Sequence, residues 1–102
     1  MPQTPADLLA DFFEQNPACY HISGSALFMN VLRSIIAGPK AISELASEHN
    51  SIDPEDLRLV VSALQTAGLV FKPKNIQKEF YSPTEKASKF LELLGNAKTF
   101  YE

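Results

Sequence analysis

A strongly signalled helix that runs straight into a short strand constrains the fold more than any other feature. Asp53 and Pro54 provide its N-cap and first-turn proline, and acidic side chains follow where the positive end of the helix dipole favours them. Its buried stripe has helical spacing: Leu57, Val60, Val61 and Leu64. Gly68 ends the helix, and Leu69-Val70-Phe71 follows at once with residues typical of a strand. The sequence therefore predicts a helix and a small sheet joined through one glycine.

The rest of the chain predicts a hairpin and four further helices. A second strand is expected at Glu79-Phe80-Tyr81-Ser82, after turn residues at Lys72-Pro73-Lys74-Asn75. The further helices cover residues 4–15 from Thr4-Pro5 to the stop at Asn16-Pro17, residues 25–37 from the cap Ser25 to Gly38-Pro39, residues 43–49 from the cap Ser43, and residues 84–94 from the cap Thr84 to a break at Gly95. Residues 16–24 are expected to form a loop. The predicted fold class is mainly α with a small β-hairpin.

Size and composition bound the domain count and the chemistry. A chain of 102 residues with 45% hydrophobic residues fits a single domain over residues 1–102. Cys19 is the only cysteine, and no apolar stretch reaches membrane-helix length, so we expect a cytoplasmic protein with no membrane partner. His21 and His49 lack partners at metal-ligand spacing, and no glycine-rich phosphate loop is present. We therefore expect no enzymatic activity, no cofactor and no metal.

Two motifs resemble the winged helix-turn-helix superfamily. Ile42-Ser43-Glu44-Leu45-Ala46, followed by Leu64-Gln65-Thr66-Ala67-Gly68-Leu69-Val70, is similar to the arsenic-repressor-like and multiple-antibiotic-resistance-like regulators over about residues 25–94. Residues 52–64 also resemble the N-terminal dimerisation domain of small-molecule O-methyltransferases, although this chain has no room for the methyltransferase domain. The resemblance implies a winged-helix core at 25–94 with extra N- and C-terminal helices, the first at 4–15.

The regulator resemblance implies binding to double-stranded DNA and a role in transcription regulation. In that reading the helix from Asp53 to Ala67 enters the major groove, and the hairpin contacts the backbone. The candidate DNA-binding residues are Arg58, Ser62, Gln65, Thr66, Lys72, Lys74 and Lys78. An alternative for the hairpin lysines is that they keep a short exposed hairpin soluble and block edge pairing.

Apolar faces of the two terminal helices predict a homodimer. The candidate interface residues are Leu8, Phe12, Phe13, Phe90 and Leu94. The alternative is that both helices fold back onto their own core. The net charge of −3, the outward Leu59 and the acidic start of the 53–67 helix favour a different function, that of a winged-helix interaction or dimerisation module that binds protein and not DNA.

Overall fold

The structure, a computed structural model, describes residues 3–73 and 80–101, with side chains as far as residue 98. The elements in chain order are α1 (Pro5–Gln15), α2 (Pro17–Ser23), α3 (Ala26–Ala37), β1 (Lys40–Ala41), α4 (Ile42–Glu48), α5 (Pro54–Thr66), β2 (Val70–Phe71), β3 (Phe80–Pro83) and α6 (Glu85–Tyr101). This architecture confirms the prediction of a mainly α protein with a small antiparallel sheet, and it is compatible with a winged-helix-like fold.

Four of the predicted helix caps are confirmed by hydrogen bonds. The Thr4 hydroxyl accepts from the Asp7 backbone N–H at 3.2 Å, and the Asp7 carboxylate accepts in return from the Thr4 N–H at 3.2 Å. The remaining three caps each accept from a backbone N–H in the first turn: Ser25 from Phe28 at 3.3 Å, Asp53 from Glu55 at 2.8 Å, and Thr84 from Ala87 at 3.3 Å. These helices begin where local hydrogen bonding favours them.

Three predicted boundaries are wrong. Residues 16–24 are not a loop, because Pro17 is the first residue of α2 and Cys19 and Ile22 bury one face of that helix. Ser43 does not cap α4, which begins one residue earlier, and the Glu44 carboxylate accepts from the Ala41 N–H at 3.2 Å. Helix α6 continues through Gly95 to Tyr101.

The sheet has the strand order β1-β3-β2, and both pairings are antiparallel. Lys40 pairs with Tyr81 on one side of β3, and Phe71 pairs with Ser82 on the other. The two predicted strands are present within one residue of their expected bounds, whereas the two-residue β1 was not predicted. Most of the turn between β2 and β3 lies outside the described residues.

One hydrophobic core takes side chains from every helix and from β2 and β3. Its largest fully buried members include Phe90, Leu32, Ile35, Leu45, Leu57, Leu64 and Leu69. The predicted stripe of α5 is buried as expected, which fixes the face that this helix turns outward. Within the described parts of the chain, no helix is long and apolar enough to cross a membrane.

Candidate functional site

The outward face of α5 carries the polar side chains predicted to contact DNA. Arg58, Ser62, Gln65 and Thr66 are all exposed, because Leu57, Val60, Val61 and Leu64 turn the opposite face into the core. Arg58, Ser62 and Thr66 follow one another at intervals of four residues, so they lie in a row along the helix. The structure therefore brings these four candidates together on one surface.

The start of the same helix is acidic. Glu55 and Asp56 are exposed in the first turn of α5, where they complement the helix dipole. Arg58 is the only cation on this helix, so contacts with phosphate would depend on Arg58 and on the hairpin. The acidic end of α5 would repel a phosphate backbone placed beside it.

Only part of the predicted basic hairpin can be located. Lys72 is exposed and follows directly on β2. Lys74 and Lys78 lie outside the described residues. Phe71, beside Lys72, is 46% exposed, so the described end of the hairpin presents an aromatic ring as well as a cation.

Three hydrogen bonds fix the end of α5 relative to the sheet and α6. Gly68 has a φ of 77°, in the left-handed region that favours glycine. The Thr84 hydroxyl donates to the Gly68 carbonyl at 2.7 Å, and the Thr84 N–H donates to the Leu69 carbonyl at 3.0 Å. The Lys86 ammonium donates to the Ala67 carbonyl at 2.7 Å, at the negative end of the α5 dipole. Sequence reasoning identified Thr84 only as a cap and missed Lys86, because a contact 19 residues away leaves no local signal.

A shallow apolar groove of about 480 Å³ lies beside this face of α5. Its walls come from α2, α3 and α5, and the lining residues are Ala18, His21, Ile22, Phe28, Leu59, Ser62, Ala63, Thr66 and Ala67. Leu59 is 69% exposed at the groove. The groove was not foreseen, because α2 was predicted to be a loop. Two of the predicted DNA-binding residues, Ser62 and Thr66, thus also line the apolar groove.

An aromatic cluster joins the two terminal helices of the same chain. The Phe12 ring stacks on Phe90 with centroids 5.7 Å apart, and Phe13 meets Phe90 edge to face at 6.0 Å. Tyr20 extends the cluster from α2, with its ring 5.4 Å from that of Phe13. Phe90 is fully buried by these contacts, whereas Leu8 is 43% exposed. Of the five predicted interface residues, Leu8 therefore leaves the most surface for a second copy, and the homodimer stays a prediction.

Three side chains, Cys19, Lys40 and Glu48, have pKa values shifted by burial or by a hydrogen bond within the fold. Burial raises the pKa of the Cys19 thiol, and the nearby positive charge of Lys86 offsets part of that rise. The Lys40 ammonium contacts the Glu48 carboxylate at 2.8 Å, and this hydrogen bond lowers the pKa of Glu48 and raises that of Lys40. Within residues 3–73 and 80–101, no group of three or more His, Cys, Asp or Glu side chains is arranged to hold a metal ion.

Comparison with known protein families and with curated proteins finds no match to this chain. The fold class and the geometry of the α5 surface are therefore the basis for a functional assignment.

Proposed function

We propose that this protein is a winged-helix DNA-binding protein that regulates transcription as a homodimer. The observation that carries the proposal is the order α3, β1, α4, α5, β2, β3 combined with the strand order β1-β3-β2, which leaves the polar face of α5 outward. In a winged helix-turn-helix protein this arrangement places the second helix of the pair in the major groove and the hairpin on the adjacent backbone.

The side chains on the α5 face suit two kinds of contact with a duplex. Ser62, Gln65 and Thr66 are exposed donors and acceptors that suit base edges, and Arg58 suits phosphate or guanine. Lys72, with the predicted contributions of Lys74 and Lys78, would neutralise backbone phosphates. The acidic chain and the acidic start of α5 keep this electrostatic contribution small, so we expect binding to be weak in the absence of a preferred sequence.

The homodimer would pair through the outer surfaces of α1 and α6. Leu8 is exposed on α1, and Leu94 is only half-buried on α6. The rings of the aromatic cluster, by contrast, pack against one another within the same chain. Two-fold pairing of this kind would present two copies of α5 to successive turns of a duplex.

The decisive experiment is fluorescence anisotropy with a short labelled duplex of random sequence at about 50 and 200 mM salt. We expect affinity to fall with salt, and we expect the Lys72→Ala variant to lower the slope of log K against log salt by about one. Lys89→Ala is the matched control, because Lys89 is an exposed lysine that belongs to α6 and not to α5 or the hairpin. The triple change Lys72/Lys74/Lys78→Ala should abolish binding. Absence of binding at about 100 μM protein and low salt would reject the proposal.

A second function, a dimerisation module that does not bind DNA, is favoured by one specific observation. Leu59 is 69% exposed beside the apolar groove on the same face of α5, and a second copy of this chain could bury both. Sedimentation equilibrium distinguishes the two functions. In the module, Leu59→Ser converts a dimer to a monomer, whereas in the DNA-binding protein the dimer survives this change because the pairing surface lies on α1 and α6.

A further inference from the structure

A second pocket, of about 500 Å³, opens between α3 and α6, and it shares no lining residue with the groove beside α5. Its lining comes from the end of α2, from α3 and from the second half of α6: Ser23, Ala26, Met29, Arg33, Leu91, Leu94, Gly95 and Lys98. Pockets of this volume accommodate small organic molecules. The pocket depends on α6 continuing past Gly95, so it forms from the part of the chain where the sequence predicted a helix break.

The interior of this pocket is apolar. Of its lining residues, Met29 on α3 is buried, and Leu91 and Leu94 on α6 are half-buried. These side chains present methyl and methylene groups to the pocket. Transfer of the apolar part of a ligand from water to this surface is therefore favourable.

Gly95 is also part of the pocket lining. A glycine inside a helix is less favourable than alanine by about 1 kcal/mol, so its presence calls for a local reason. The backbone gives none, because Gly95 is helical and a Cβ built on it would meet no atom within 4 Å. Gly95 is a lining residue of the pocket, so we expect a long side chain at residue 95 to occupy part of it.

Both charged side chains in the described lining of the pocket are cations, although the chain as a whole carries −3. They are Arg33 on α3 and Lys98 on α6, and no aspartate or glutamate is among the described lining residues. An arginine guanidinium binds a carboxylate through two parallel hydrogen bonds. An apolar interior with cations at the exposed rim therefore favours a ligand with an anionic head and an apolar body.

We propose that the pocket between α3 and α6 binds a small amphipathic carboxylate, with its apolar body against Met29, Leu91 and Leu94 and its carboxylate at Arg33. This site is separate from the α5 surface, so its existence does not depend on DNA binding.

The test is a two-dimensional NMR titration of the full chain with octanoate, and with octanol as an uncharged ligand of the same chain length. We expect octanoate to shift the methyl signals of Met29, Leu91 and Leu94 in a saturable manner, and octanol to bind at least about tenfold more weakly because it forms no charge-assisted bond. Octyl sulfate, titrated in parallel, should bind more weakly than octanoate if the site selects a carboxylate.

Two variants and one control complete the experiment. Arg33→Gln should weaken octanoate binding about tenfold, whereas Lys89→Gln, which removes an exposed α6 lysine outside the lining, should leave it unchanged. Gly95→Leu should fill the pocket and abolish binding while the folded spectrum is retained. The proposal is overturned if octanol binds as tightly as octanoate, if the shifted signals lie elsewhere, or if the Arg33 and Lys89 variants behave alike.

Discussion

Removal of the Phe90 ring is the strongest perturbation that the structure offers. Phe90 is fully buried, and it contacts the Phe12 and Phe13 rings of α1 at 5.7 and 6.0 Å between centroids. Phe90→Ala would therefore remove the side chain that joins the N-terminal helix to the core. The helix α1 has no fully buried residue of its own, so its attachment depends on this cluster.

The size of the effect follows from burial. Replacing a buried phenylalanine by alanine costs about 3 to 5 kcal/mol, which includes the cavity that remains. Unfolding entropy of about 2.1 cal/mol/K per residue corresponds to roughly 0.2 kcal/mol/K for a chain of this length. A loss of about 4 kcal/mol thus lowers the Tm by about 20 °C. That loss is a large share of the total stability of a small domain, which is about 5 to 15 kcal/mol.

Urea denaturation followed by circular dichroism, at several protein concentrations, measures this loss. Leu59→Ala is the control, because a residue that is 69% exposed should change the free energy of unfolding by no more than about 0.5 kcal/mol. Both proteins are compared at the same concentrations, because a dimer through α1 and α6 would itself add stability that depends on concentration. A loss below about 1 kcal/mol at every concentration would mean that Phe90 is not enclosed by its own α1.

Two further predictions concern Gly68 and Cys19. Gly68→Ala should lower the free energy of unfolding by about 1 to 2 kcal/mol, because φ is 77° at this residue. Gly95→Ala should raise the free energy of unfolding by up to about 1 kcal/mol, because residue 95 has a helical backbone and a Cβ there meets no neighbour. Thermal denaturation in which the Tm of both variants shifts in the same direction would contradict this. Cys19 should react with a thiol reagent about 10³-fold or more slowly in the native protein than in urea, because the thiol is buried and burial raises its pKa; equal rates in the two states would refute its burial.

Local signals were enough to predict most of the helices and the two main strands. The helix α5 begins after its cap Asp53 and ends at Thr66, just before the left-handed Gly68, because capping, the dipole and the glycine all act within a few residues. By contrast, Asn16-Pro17 was interpreted as the end of a helix, although the same proline is also suited to begin one. Only Cys19 and Ile22 mark the buried face of α2, which is too short to give a clear periodicity.

The helix α6 passes through Gly95 because a glycine in a helix costs only about 1 kcal/mol, which is a weak local preference and not a stop of the kind that a proline imposes. The pocket between α3 and α6 could not be predicted for the same reason, since it needs both the continued helix and the position of α3. The exposed row on α5 could be predicted, because it requires only the helical period and knowledge of the buried stripe.

The position of α2 connects the two candidate functions. Because α2 and α5 border the same groove, Ser62 and Thr66 line an apolar surface as well as the face that would contact a duplex. Either a duplex or a second chain could therefore cover Leu59, and burial of Leu59 alone does not distinguish them. Neutralisation of phosphates releases counterions and an apolar contact does not, so the salt dependence of binding separates the two functions. The contribution of Lys72 to that salt dependence is therefore a more direct test of the DNA-binding proposal than the shape of the α5 surface.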